Sequence, residues 1–289
     1  MKIFRIKYYI PFLILIFTFA CESDADLVKA PAFNQKLVIA AFISPSDKIS
    51  YFRVTSNKKI YGELDTEEPL GLVSGFISDG TDEVALDTCR IGLKLNHEKM
   101  QIQYGKTYRL RVNSDKGLSA EAECTVPARK NFSIEVDTFS ILTEESMYSP
   151  YPGMYRSLNA RVKFSDLPGE ENFYRIFGTF RAYSQNYQGS GTILFDEEFI
   201  SDKGMDGKSF VVNMDQNNRY IFSFAKDSLF LNIYLFNTEK SYYQYHKSML
   251  NYVDGEDPFS EATPMYTNII GGFGVFTSYT VDSLLLRLK

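Results

Sequence analysis

Short segments in which apolar and polar residues alternate, each bounded by turn-forming residues, constrain this chain more than any other feature. Between residues 37 and 127 they run LVIAAFI, YFRVTS, LVSGFISD, EVALD, CRIGLKL, YGKTYRLRVNS and LSAEAECTV. A period of two sends successive side chains to opposite faces of a strand, so each segment offers one apolar face to a core. Tyr108, Leu110 and Val112 share one face and Arg109 and Arg111 take the other, the pattern of a sheet that is wet on one side. Asp79-Gly80 and Asp115-Lys116-Gly117 supply the turn chemistry between segments. With 24 Phe and 20 Tyr, and 18 Gly and 10 Pro as punctuation, an all-β fold is the expectation. Residues 37–128 read as a β-sandwich of Ig-like or transthyretin-like type.

Pro127-Ala128-Arg129-Lys130-Asn131 breaks this pattern, and residues 131–289 read as a larger C-terminal antiparallel β-domain with one packed helix. Leu158–Phe164 and Asn172–Tyr183 alternate as strands, and Arg219–Phe224 and Leu229–Phe236 are apolar enough to be central. Ser184–Thr192 and Asp202–Lys208 lack a pattern and read as loops. Thr238–Val253 is the helix: Tyr242, Tyr245, Met249 and Tyr252 make one stripe, and Tyr243, His246, Leu250 and Val253 the next. Asn237 or Thr238 caps it and Asp254-Gly255 ends it. His246 lies within the packed face, so a structural role is expected. Tyr183 and Tyr187 flank the first loop and are the candidate partner surface, as aromatic anchors.

The first residues set an address. Lys2, Arg5 and Lys7 precede an uncharged, mostly apolar run from Tyr8 to Ala20, too short for a spanning helix of roughly 20 residues. Residues 1–20 read as a signal peptide. Cys21 then precedes Glu22, Ser23, Asp24 and Asp26, an arrangement that resembles a lipoprotein signal in which the cysteine is acylated and becomes the new N-terminus. More than one acyl chain gives a stable anchor. Residues 21–36 follow as a flexible acidic tether. The acidic cluster resembles the export signal for the outer face of the outer membrane in Bacteroidetes-type bacteria. Once Cys21 is lipidated, Cys89 and Cys124 remain as an even pair, and a disulfide and two buried thiols acting as small hydrophobes fit equally.

Several chemistries lack a residue that they need. Net charge is −5 with no block of Lys or Arg, so nucleic acid is not expected as a partner. Gly207-Lys208-Ser209 ends like a P-loop, but position 202 is Asp where glycine is required. His97 and His246 are the only histidines and lie in different regions, which argues against a zinc site or a Ser-His-Asp triad. Gly71-Leu72-Val73-Ser74-Gly75 has its serine one place too late for a nucleophile elbow. Asp65, Glu67 and Glu68, or Asp196, Glu197 and Glu198, read as charged loops and strand ends rather than paired catalytic carboxylates or cation ligands. No cofactor, metal or catalytic activity is expected.

The segment Asp257-Pro258-Phe259-Ser260-Glu261 through Asn268-Ile269-Ile270-Gly271-Gly272-Phe273-Gly274-Val275-Phe276 resembles the closing signature of the domain of unknown function 4249 family, outer-membrane lipoproteins of Bacteroidetes-type bacteria. The helix Tyr242–Leu250, the segment Phe199-Ile200-Ser201-Asp202 to Gly207-Lys208 and the strand start Tyr104–Tyr108 also match it. The resemblance implies an N-terminal Ig-like module, a C-terminal β-domain, pairing with TonB-dependent outer-membrane transporters and no established activity. Within the signature, Pro258, Phe259, Asn268, Gly271, Gly272, Gly274 and Phe276 read as structural. The glycines permit a bulge and close strand approach; a dinucleotide fingerprint would need glycine where Thr277 stands. The functional expectation is a surface-exposed, non-catalytic accessory module for such a transporter. The alternative is a structural or adhesive envelope scaffold.

Overall fold

The computed structural model describes residues 33–58, 69–129, 132–145, 154–183, 188–215, 221–222, 228–252 and 263–288. Residues 35–57 and 67–289 form one compact unit; the other comprises residues 1–34 and 58–66, nearly all of it outside the described residues. The fold is all-β with one helix among the described residues.

The first strands are β1 (Leu37–Ile43), β2 (Ile49–Ser56), β3 (Val73–Ser78), β4 (Glu83–Ala85), β5 (Asp87–Cys89), β6 (Gly92–Asn96), β7 (Thr107–Ser114) and β8 (Ser119–Thr125). Then come β9 (Ile134–Glu145), β10 (Met154–Ser165), β11 (Phe173–Tyr183), β12 (Gln188–Ile193), β13 (Phe199–Ser201), β14 (Ser209–Asn213), β15 (Ile221–Phe222) and β16 (Ser228–Thr238). Helix α1 (Lys240–Leu250) and β17 (Phe273–Leu288) close the chain. A nine-stranded sheet runs β12-β11-β16-β17-β1-β2-β6-β5, with β13 also on β11. Two four-stranded sheets, β4-β3-β7-β8 and β9-β10 with β14 and β15, complete the fold.

Alternation dictates the first core. Leu37, Ile39, Ala41 and Ile43 of β1 are buried with Phe52 of β2, Leu93 and Leu95 of β6, Leu110 and Val112 of β7, and Ala120, Ala122 and Cys124 of β8. Tyr108, fully buried, donates its hydroxyl to the Gln101 carbonyl at 3.1 Å and accepts from the Gln103 amide at 2.8 Å, a local tie of the tyrosine-corner kind. A second core joins Ala160, Val162 and Phe164 of β10 to Tyr174 and Ile176 of β11, Ile193 of β12, Val212 of β14, and Leu231, Ile233 and Leu235 of β16. Among the described residues, the strand pairings within this second region are antiparallel, as expected.

The closing strand belongs to both cores. Its first part pairs in parallel with β1, Val38 opposite Phe273 through Ile43 opposite Ser278, and its later part pairs antiparallel with β16. Phe276 is therefore buried in the first core, with Ile269 from the segment just before the strand, while Leu284 and Leu286 pack on the second. The sequence boundary at 127–131 divides the two cores except for this segment, which returns to the first. Antiparallel pairing can be read from neighbouring strands, but a parallel partner more than 200 residues away leaves no local signal.

Two sequence expectations are corrected, at CRIGLKL and at residues 188–192. CRIGLKL is not one strand: Arg90 and Ile91 form a turn between β5 and β6, Gly92 has φ of 135°, and Ile91 is exposed. Cys89 and Cys124, on different sheets, are free thiols, Cys124 buried and Cys89 half-buried, which is one of the two readings left open by the sequence. Residues 188–192 are not loop but most of β12, whose ladder to β11 runs from Gln188 opposite Tyr183 to Ile193 opposite Gly178. Of the stretch 219–224 only residues 221–222 are described, and they form β15, which pairs with β10; the rest of that expected strand lies outside the described residues.

Helix α1 begins later than expected. Its N-cap is Glu239, which makes no side-chain capping bond. The carboxylate instead accepts from the Thr125 amide at 3.0 Å, the Ser241 hydroxyl at 2.9 Å and the Thr277 hydroxyl at 3.1 Å. It thereby ties the end of β8 and the start of α1 to β17. Cover fades along the helix: Ser241 and Tyr242 are buried, residues 243–248 are half-buried, and Met249, Leu250 and Tyr252 are exposed.

Candidate functional site

One face of the nine-stranded sheet serves the two cores; the other carries α1 and, beyond it, an open groove. On β11 the odd-numbered residues Phe173 to Tyr183 point to this second face, and on β16 so do Phe230, Asn232, Tyr234 and Phe236. An aromatic row results. Tyr242 of α1 meets Tyr279 at 5.9 Å between ring centroids, Tyr279 meets Phe236 at 5.0 Å, Phe236 meets Phe177 at 5.4 Å, and Phe177 stacks on Tyr234 at 5.1 Å.

The helix end of the row is sealed. Arg175 donates to Glu198 at 2.7 Å and to the Tyr242 hydroxyl at 2.8 Å, and its guanidinium lies over Phe177 and Phe199. His246 has its Nδ1 2.9 Å from the Tyr242 carbonyl, stacks on Tyr242 and Phe199, and is held below its ordinary pKa by burial. Glu198, weighed from sequence as one of a carboxylate trio, is thus the partner of Arg175.

The other end is open. A cavity of about 510 Å³ is bounded by Thr179, Arg181 and Tyr183 of β11, by Phe230, Asn232 and Tyr234 of β16, and by Leu285 of β17. Register explains the set, because Thr179, Asn232 and Leu285 lie opposite one another across three strands, as do Arg181, Phe230 and Arg287. Tyr183 meets Phe230 edge-on at 5.9 Å and is 39% exposed, and Leu285 is 64% exposed. The Asn232 Nδ2 donates to the Tyr234 hydroxyl at 2.6 Å, while its Oδ1 is buried with no hydrogen-bond partner. Of the two tyrosines chosen from sequence, Tyr183 lines this groove and Tyr187 lies outside the described residues. Asn232 was not singled out; its one signal is an amide interrupting LFLNIYLF.

Two polar clusters elsewhere resemble chemical sites. Ser50 Oγ and His97 Nε2 are 2.8 Å apart, with Asp47 beside them, beneath a surface cavity of about 480 Å³. A triad needs the carboxylate on the histidine and an accessible hydroxyl. Here the Asp47 carboxylate accepts from Tyr279 at 3.1 Å and Ser50 is 2% exposed. Burial lowers the His97 pKa and raises that of Asp47. The trio therefore works as a packing network. Asp166, Asp202 and Asp206 have carboxylate oxygens within 4.8 Å of one another. Asp166 accepts from Tyr174 and the Gly207 amide, Asp202 from both nitrogens of Asn172, and Asp206 from the Gly169 amide. These bonds pin the 202–208 turn against residues 166–172. Burial and the Asp166 bond push the Tyr174 hydroxyl far above its usual pKa.

The described signature residues make backbone contacts. Asn268 accepts from the Phe276 amide at 3.0 Å and donates to the Phe276 carbonyl at 2.8 Å, holding the turn that opens β17. At Gly274, φ is 100° and a Cβ would sit 2.0 Å from the Ile39 carbonyl oxygen; at Gly272 it would sit 2.5 Å from that of Leu37. Gly271, at φ of 80°, approaches the Ser119 carbonyl in the same way. Pro258, Phe259 and Cys21 lie outside the described residues. A family model described as Domain of unknown function (DUF4249) matches residues 22–284. The chain belongs to this family. In this member of the domain of unknown function 4249 family, Gly272 and Gly274 meet β1, Gly271 meets β8, and Asn268 holds the turn before β17. No curated protein matches the sequence. Among the described residues, no helix is long and apolar enough to cross a membrane.

Proposed function

We propose that this protein is a lipid-anchored lipoprotein of the outer membrane, facing the exterior, that acts as a non-catalytic binding module beside a TonB-dependent transporter. The observation that carries the reading is the leader itself: a basic start, a short apolar run and Cys21 followed by acidic residues, with the family match beginning at residue 22. Acylation of Cys21 holds the mature chain to the membrane, and the acidic stretch after it is a tether. The open groove supports a binding role, since it gathers aromatic, amide and guanidinium groups without a nucleophile–base pair.

The test has two arms. Cells fed a fatty-acid analogue should label the wild-type chain and leave Cys21→Ala unlabelled and uncut; equal labelling refutes the anchor. Native protein purified from detergent-solubilised outer membrane should bring down a TonB-dependent transporter in stoichiometric amount. Recovery of envelope structural proteins instead, with no transporter, would favour the scaffold reading.

A further inference from the structure

The groove on the β11–β16–β17 face has one uncommon property: a buried amide oxygen that its own fold does not satisfy. Asn232 Oδ1 has no hydrogen-bond partner, while Nδ2 of the same half-buried side chain donates to the Tyr234 hydroxyl. An unpaired buried acceptor costs free energy unless a ligand group donates to it. A hydroxyl group, both donor and acceptor, can pair with such an amide.

The surrounding residues narrow the class. Phe230, Tyr183 and Tyr234 supply aromatic surface for the apolar C–H face of a ring, and Thr179 adds a hydroxyl across the strand pair from Asn232. Arg181, exposed at the rim, has no ion-pair partner among the described residues, leaving its donors for ring oxygens or a carboxylate. The volume falls within the roughly 300–1,000 Å³ of small-ligand sites. The site lies on a sheet face, where an extended peptide finds no strand edge to pair with.

We propose that this groove is a saccharide-binding site, with Asn232 bonding a ring hydroxyl, the aromatic residues packing the sugar face and Arg181 favouring acidic sugars. This deepens the reading of the chain as a binding module, yet it is measured on the purified protein without transporter or membrane, so either can fail alone.

The purified chain is screened on an array of neutral and uronic-acid oligosaccharides, and the strongest binder is titrated by tyrosine fluorescence against wild type, Asn232→Leu, Tyr183→Ala and Arg181→Gln. Saturable binding that weakens at least tenfold in Asn232→Leu, whose thermal midpoint does not fall, supports the site. Arg181→Gln should weaken uronic-acid binding more than neutral binding. The proposal is overturned if no oligosaccharide saturates by about 10 mM, if Asn232→Leu and Tyr183→Ala bind as wild type does, or if Asn232→Leu loses thermal stability and binding together. A trialanine probe that binds in an Asn232-dependent manner while the sugars do not overturns it in favour of peptide.

Discussion

At the scale of the residue, the joint between β1 and β17 depends on atoms that are missing. Gly274 sits directly against the Ile39 backbone, in a left-handed conformation, so a methyl group there meets both a clash and an unfavourable φ. Gly274→Ala should lower unfolding stability by about 3 kcal/mol in urea denaturation, whereas alanine at Gly117, a turn position with open space around it, is penalised through φ alone. A Gly274→Ala variant as stable as wild type would refute the close approach. The glycines were legible in the sequence as a close approach of strands, but the identity of the approached strand was not. Histidine chemistry gives a second residue-scale expectation. His97 and His246 are both held below their ordinary value of 6.5 by burial. The unfolded chain therefore binds protons first as pH falls through about 6.5, and the stability contributed by the neutral rings is lost in that window. Asp47 and Glu239, raised by burial, act with opposite sign at lower pH. The melting temperature should fall between about pH 7.5 and pH 5.5, and His97→Gln should flatten the fall; an unchanged profile would rule His97 out as its source.

At the scale of the element, legibility follows how local the stabilising contacts are. Strands β1, β7 and β8 were readable because alternation states which face is buried. β12 was not, since QGSGTI carries almost no apolar pattern and is held by its ladder to β11. For that reason deletion of residues 184–192 removes most of a strand and should cost thermal stability, whereas Tyr183→Ala alters the groove and leaves the ladder in place. The helix shows the same limit from the other side. Its stripes predicted a broad packed face, but only its first turns meet Phe42 of β1 and the Arg175 cluster. Arg175 is the tie between β11, α1 and the segment before β13, and Arg175→Met would leave Glu198 and Tyr242 without their half-buried partner. A loss of about 2–3 kcal/mol is expected, with a larger fraction of it recovered in the Arg175→Met/Glu198→Gln double variant than additivity allows. Strict additivity would show that the pair is not coupled.

At the scale of the whole molecule, a single strand decides whether the protein has one folding unit or two. The alternating segments before residue 127 read as a sandwich, and they do supply most of its core. What they omit is the third neighbour of that core: Ile269 and Phe276 enter it from the far end of the chain, and β17 continues directly into the ladder with β16. Thr125 is bound from the same side, its amide by Glu239 and its carbonyl by the Ser278 hydroxyl. Removing residues 37–128 from the rest strips β1 of its parallel partner and exposes Phe276 and Leu37, so neither part keeps a closed core. Two consequences are measurable. Calorimetry of the intact chain should give one transition whose calorimetric and van't Hoff enthalpies agree, as a cooperative unit requires. A fragment ending at residue 131 should show poor amide dispersion and early melting, and adding residues 263–288 through a flexible linker should restore it. Two resolved transitions in the intact chain, or a well-folded isolated fragment, would mean that β17 merely decorates the first sandwich instead of completing it.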